Sequence, residues 1–126
     1  MTTEARDVCS VAVLIVCADR NFQRFARAVL RQSGHTAFVT GARAADVAVQ
    51  VRLRAPNVVL LDADHADAEA IRRVLGRTAV VAASDDPAMI AAGAVGKWDG
   101  APALVAAVEE AANAVRRRSS LRLVKP

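Results

Sequence analysis

Three aliphatic runs in this chain end on residues able to do chemistry. Val11-Ala-Val-Leu-Ile-Val16 leads into Cys17-Ala18-Asp19, Asn57-Val-Val-Leu-Leu61 leads into Asp62, and Thr78-Ala-Val-Val-Ala82 leads into Ala83-Ser84. A carboxylate in such a place serves as metal ligand, nucleophile or cap, and a thiol as a nucleophile. Other chemistries are excluded. Cys9 and Cys17 make no CxxC pair, and His35 and His65 have no partners at ligand spacing, so neither a disulfide framework nor a zinc site is expected. No GxGxxG or Walker loop occurs, which removes the usual nucleotide routes, and the chain contains no cofactor motif.

The elements that position these residues are set by period and punctuation. Val11–Val16 is a β-branched buried run, a first strand. Cys17–Asn21 is a loop whose Asp19 or Asn21 caps the next helix. Phe22, Phe25, Ala26, Val29 and Leu30 recur at helical steps up to Gln32, and Gly34 ends that helix. Thr36–Thr40 is a second strand. Ala44–Arg54 is a second helix, which Pro56 forbids from continuing. Asn57–Leu61 is a third strand, and Asp64 to Asp67 an acidic loop. Ala68–Leu75 is a helix stopped by Gly76, Thr78–Ala82 a fourth strand, and Asp85-Asp-Pro87 opens a short helical stretch ending at Gly93. Ala94–Lys97 is a weak fifth strand, and Pro102–Arg118 a long closing helix. Strand and helix alternate five times, which dictates an α/β fold with a parallel sheet and helices on both faces. Sites in such sheets lie at the carboxyl ends of the strands, where the three chemical runs end.

At 126 residues the chain fits one domain. We divide it into an N-terminal extension, 1–10, a folded body, 11–115, and a basic tail or linker, 116–126. All 13 acids precede Arg116, and five of the 17 bases (Arg116, Arg117, Arg118, Arg122, Lys125) come after Val115, so the rest of the chain is near neutral at −1. Such a run is a solvated helix end or linker, or a weak nucleic-acid contact. No apolar run is long enough to span a membrane, and nothing has the form of a signal peptide. A cytoplasmic protein with free thiols and no membrane partner is expected.

The runs Val13-Leu-Ile-Val-Cys-Ala-Asp-Arg-Asn-Phe22, Leu30-Arg-Gln-Ser-Gly34 and Ala55-Pro-Asn-Val-Val-Leu-Leu-Asp62 resemble the first half of a receiver domain of the two-component response-regulator family. Ala83-Ser-Asp-Asp-Pro87 and Leu104-Val-Ala-Ala-Val108 are similar to its second half. The resemblance implies a flavodoxin-like, five-stranded parallel sheet in the order 2-1-3-4-5, with Asp62 at the phosphoacceptor place. It also implies a degenerate pocket. The acidic pair that binds Mg²⁺ after the first strand falls on Cys17 and Ala18, and thiol and methyl are poor ligands for a hard cation. Asp19 comes next, but the turn aims it elsewhere. The hydroxyl that grips a phosphoryl oxygen falls on Ala82, and Ser84 substitutes only if the loop is rearranged. The family lysine falls on Lys97 when aligned through the closing helix, or on Gly100 when aligned through Ala92-Gly-Ala94. If it is Lys97, an ion pair with Asp62 holds the site in one state, and Asp64 lies in the same pocket. The segments after Asp62 and after Asp86 are both shortened.

These departures imply binding in place of catalysis. The function expected is a phosphorylation-independent regulatory module of an atypical response regulator. It would work as a homodimer and control transcription through a DNA-binding output domain outside this chain. The apolar stripe Leu104, Val105, Val108 and Ala112 is the candidate partner face, although such stripes also serve as core. The resemblance allows a small-molecule ligand at the degenerate pocket. The alternative is a protein-docking adaptor of the kind found ahead of P-loop ATPases, which the sequence encoded after Pro126 would distinguish.

Overall fold

Five short strands of Val, Ile, Leu and Ala carry the architecture. In this computed structural model, which describes residues 10–124 with side chains to residue 118, the strands are β1 (Ala12–Val16), β2 (Thr36–Thr40), β3 (Val58–Asp62), β4 (Ala79–Ser84) and β5 (Val95–Gly96). The helices are α1 (Arg20–Gln32), α2 (Ala44–Arg54), α3 (Ala68–Leu75), α4 (Pro87–Ala91) and α5 (Ala101–Val124). All neighbouring strands pair in parallel, and the order is β2-β1-β3-β4-β5. The expected flavodoxin-like architecture is therefore present.

Side-chain alternation splits the core into two layers. On one face Val13, Ile15, Val58, Leu60, Val81 and Ala83 pack against α1 and α5 through Phe22, Ala26, Leu30, Leu104 and Val108. On the other, Leu14, Val16, Val59 and Leu61 meet Val47 of α2 and Ile71 and Leu75 of α3. β3 is buried along its whole length, as the central strand of a sheet covered on both faces must be. Each fully buried Leu, Ile or Phe contributes about 1.5–3 kcal/mol.

The closing helix corrects one expectation. Leu104, Val108 and Ala112 are buried in the first core layer, and Val105 packs half-buried against the same layer. The stripe offered as a partner face is core, because α5 needs that face to cover β3 and β4. α5 also runs through Val124, past the expected end at Arg118, so up to that residue the basic segment is the helix end that was one of its two readings. Side chains beyond residue 118, Arg122 and Lys125 included, lie outside the described residues, as do residues 1–9 with Cys9.

Other boundaries move for local reasons. α1 starts at Arg20, two residues early, because Asp19 caps it. β4 runs two residues beyond Ala82, to Ser84, and β5 is only two residues long. α2 stops at Ala55, which takes φ 45°, immediately before Pro56. His35 ties the start of β1 to α5. Its Nδ1 accepts the Val11 N–H at 3.1 Å, so Nε2 carries the proton toward Glu109 Oε2 on α5, 2.7 Å away.

Candidate functional site

Three strand ends and one turn converge at the carboxyl edge of the sheet. β1 delivers Cys17, β3 delivers Asp62, β4 delivers Ser84, and the turn after β5 delivers Lys97. The Asp99 carboxylate folds back over Gly96, where a Cβ would require it to shift, and the Lys97 N–H donates to the Ser84 carbonyl at 3.0 Å.

Lys97 is the centre of the site. Its ammonium lies 2.9 Å from Asp62 Oδ1 and 3.2 Å from Asp64 Oδ2, with its side chain only 5% exposed. Of the two alignments Lys97, not Gly100, reaches Asp62. Burial opposes its charge, but the bonds and charges of Asp62 and Asp64 outweigh that and push Lys97 up to about 12. Asp62 is buried and fully engaged. Oδ1 also accepts the Asp64 N–H at 3.0 Å, and Oδ2 accepts the Cys17 thiol at 3.5 Å.

Asp64 is more open to solvent, with its side chain 30% exposed. Its Oδ1 accepts the Ser84 hydroxyl at 2.5 Å and its Oδ2 the Asp85 N–H at 2.8 Å. Burial works against ionisation, yet these bonds and Lys97 hold the Asp64 carboxyl below its usual range. Cys17 is buried, and burial first, then the charge of Asp62, pushes its thiol up to about 11. An unreactive thiol results.

Two residues leave the site. Ala18 is exposed. Asp19 turns away from Asp62 to cap α1, accepting the N–H groups of Asn21 and Phe22 at 2.9 and 3.4 Å. One expected position also shifts. The β3–β4 register pairs Asp62 with Ala83 and Leu61 with Ala82, so the methyl beside Asp62 belongs to Ala83. Ala82 falls on the opposite face by alternation. Neither position supplies a hydroxyl.

A hard divalent cation does not fit these residues. It wants several oxygen donors in a near-octahedral shell. Here the neighbour of Asp62 on β1 is a thiol, Asp19 is committed to the helix, and a fixed ammonium already lies against both carboxylates. Among the described residues no group of three or more His, Cys, Asp or Glu side chains could hold a metal ion.

Sequence reasoning missed two neighbouring features. Trp98, 53% exposed, packs its ring 5.7 Å from Phe22 and 5.5 Å from Phe25, and the three-residue spacing of the two phenylalanines was the available signal. Arg20, Arg24, Arg27 and Arg31 all lie exposed along α1, and the first three line an open cleft of about 280 Å³ beside Val39. Their i, i+4, i+7, i+11 spacing was legible. A second cleft, of about 500 Å³, is lined by Val11, Asn57, Thr78 and Arg116 at the opposite end of the strands, away from this chemistry.

No protein-family model matches the sequence, and no curated protein matches it. Solved structures do. The anti-anti-sigma factor PhyR from Bartonella quintana superposes with a TM-score of 0.76 at 16% identity, over 98% of this chain and 55% of that one. The N-terminal domain of a response regulator/sensory box/GGDEF protein from Carboxydothermus hydrogenoformans gives 0.71 at 18%, over 86% and 98%. NtrX from Brucella abortus gives 0.73 at 22%, over 90% of this chain and 29% of that one. The fold is that of response-regulator receiver domains, and this chain spans only about half of the PhyR chain and under a third of NtrX. No helix among the described residues is long and apolar enough to cross a membrane.

Proposed function

We propose that this chain is a receiver-type regulatory module that works without phosphorylation, through protein contact including self-association, and without catalysis of its own. The observation that carries this reading is the Lys97 ammonium against Asp62 and Asp64, in a pocket where Cys17 and Ala18 stand in place of an acidic pair. Phosphoryl transfer to a carboxylate depends on positioning and on neutralising charge at the transferred group. Here both oxygens of the acceptor are engaged and the donors for a metal are missing. The much greater length of PhyR and NtrX supports a module that serves a larger regulator, with DNA reached through an output domain. The basic end of α5 would add at most a weak contact. The test is modification of Asp62 by acetyl phosphate, or formation of a beryllium fluoride adduct, with Mg²⁺ present and Asp62→Asn as control. No labelling is expected. Stoichiometric labelling abolished by Asp62→Asn overturns the proposal.

A further inference from the structure

A buried hydroxyl, a backbone N–H and an ammonium, from three separate segments, all point at one carboxylate. Ser84, with no exposed surface, donates its hydroxyl to Asp64 Oδ1. Its oxygen meanwhile accepts the Asp86 N–H at 2.9 Å, which leaves the hydroxyl proton directed at Asp64. The Asp85 N–H and Lys97 Nζ reach Oδ2 at 2.8 and 3.2 Å. Two neutral donors and a cation, converging on two oxygens of one anion, form the donor set that recognises tetrahedral oxyanions such as phosphate and sulfate.

We propose that Ser84, the Asp85 N–H and Lys97 form an oxyanion site whose resident ligand is the chain's own Asp64 carboxylate, and that inorganic phosphate or sulfate enters it only once that carboxylate is removed. The inference deepens the phosphorylation-independent reading and rests on it: the protein carries its anion in its own sequence. Its physical basis is what removal leaves behind. Lys97 keeps Asp62 and the exposed Asp85 N–H can turn to water, but the buried Ser84 hydroxyl proton loses its acceptor, and a buried donor without an acceptor is costly. The 30% exposure of the Asp64 side chain gives a solvent ion a way in. With Asp64 in place the pocket holds two carboxylates against one ammonium, and a further anion is repelled. Without it the charges balance and an oxyanion restores what was lost.

The resident carboxylate also has a mechanical consequence. It ties the β3–α3 loop to the β4–α4 turn, because Asp85 and Asp86 belong to the segment that caps α4, where Asp86 accepts the Ala88 N–H at 3.0 Å. The turn is thereby held as a bound oxyanion would hold it, with no ligand added.

The experiment monitors the backbone amide resonances of Asp85 and Asp86, and their hydrogen exchange, in the full chain and in Asp64→Ala. Loss of the charge-assisted bond is expected to speed exchange at Asp85 about tenfold. Inorganic phosphate or sulfate should then shift both amides saturably in Asp64→Ala and slow the exchange again, while leaving the parent and Asp62→Asn unmoved. If Asp64→Ala does not give a dispersed spectrum, Asp64→Ser replaces it. Equal saturable shifts in the parent overturn the proposal, because the site is then open while Asp64 is present. A folded Asp64 variant that phosphate and sulfate leave unshifted overturns it as well. Neither outcome touches the wider reading, which falls on a different result, phosphoryl labelling of Asp62 in the parent.

Discussion

Replacing Lys97 by Met keeps most of the stem's volume and removes the cation that lies against both carboxylates. The size of the effect can be worked from the geometry. The side chains of Lys97 and Asp62 are 5% and 8% exposed, so solvent screens the pair weakly. The rise of Lys97 from 10.5 to about 12 corresponds to about 2 kcal/mol of stabilisation by linkage. Truncation costs more than that, about 3–5 kcal/mol, because it strands a buried charge instead of returning both partners to water. Against a total stability of about 5–15 kcal/mol, the variant stays folded at room temperature and melts roughly 10–20 °C lower.

The pH dependence gives the sharper test. In the parent, the Lys97 contribution is complete below pH 10.5 and is lost as the pH rises through about 12. Asp64, held below its ordinary 3.8, adds stability that is present above that value and lost as the pH falls through its lower folded pKa. Acidification therefore weakens the parent. In Lys97→Met the Asp64 carboxyl loses the cation that helps hold it low and takes up a proton more readily than in the parent, so the deficit against the parent should narrow from pH 7 to pH 5. Urea unfolding of both proteins at the two pH values measures this. A loss below about 1 kcal/mol at pH 7, the size expected of an exposed pair, refutes the reasoning, and so does a deficit that is the same at both pH values.

Asp62→Asn should leave the self-association measured by analytical ultracentrifugation unchanged, and a marked loss of dimer would count against phosphorylation-independent contact. Ending the chain at Val115 removes the basic end of α5 but keeps Leu104, Val108 and Ala112 in the core. The fold should survive while any salt-sensitive nucleic-acid binding disappears, and undiminished binding in a salt titration would transfer that role to the α1 arginines. In a Cys9→Ser background, the rise of Cys17 from 9.0 to about 11 predicts that an alkylating reagent at pH 7 modifies it about a hundredfold more slowly in the folded protein than in urea. Equal rates would show that the thiol is neither buried nor perturbed.

The sheet was legible because its signals are local. Pro56 ends a helix wherever the chain goes afterwards, and Val58–Leu61 is too apolar to be anything but a strand covered on both faces. The end of β4 was not legible, since Ala82-Ala83-Ser84 carries little β preference and its pairing depends on strands distant in sequence. The extra length of β4 has a chemical consequence. Parity along a strand is strict, so the residue beside Asp62 is Ala83 and not Ala82. The stripe on α5 was visible as a period, but a period does not say what covers it. Asp64 was placed in the pocket from its nearness to Asp62. Its central role comes from Ser84 and Asp85, 20 and 21 residues further on, which no local pattern brings together. The α1 arginines do not show in the net charge of the body, which is near neutral, because acids elsewhere offset them.

A switch needs two arrangements of similar energy, and a ligand moves it only by its difference in affinity for them. This pocket has one arrangement with its groups satisfied. Lys97 bonds both carboxylates, Ser84 and Asp85 hold Asp64, Cys17 and the Asp64 N–H hold Asp62, and no buried side-chain polar atom among the described residues lacks a partner. Leaving that state breaks several bonds to charged groups, each worth about 1.5–3 kcal/mol, in a low-dielectric setting where an orphaned group is costly. Inverting even a hundredfold preference between two arrangements takes about 5.5 kcal/mol of differential binding. A phosphoryl group arriving without a metal beside two carboxylates meets like-charge repulsion, which is the physical ground for the phosphorylation-independent reading proposed above. If the domain works without phosphorylation, as proposed, the carboxyl edge of the sheet acts as a strut and regulation enters through the surfaces of the domain, where Arg20, Arg24, Arg27 and Arg31 of α1 stand exposed.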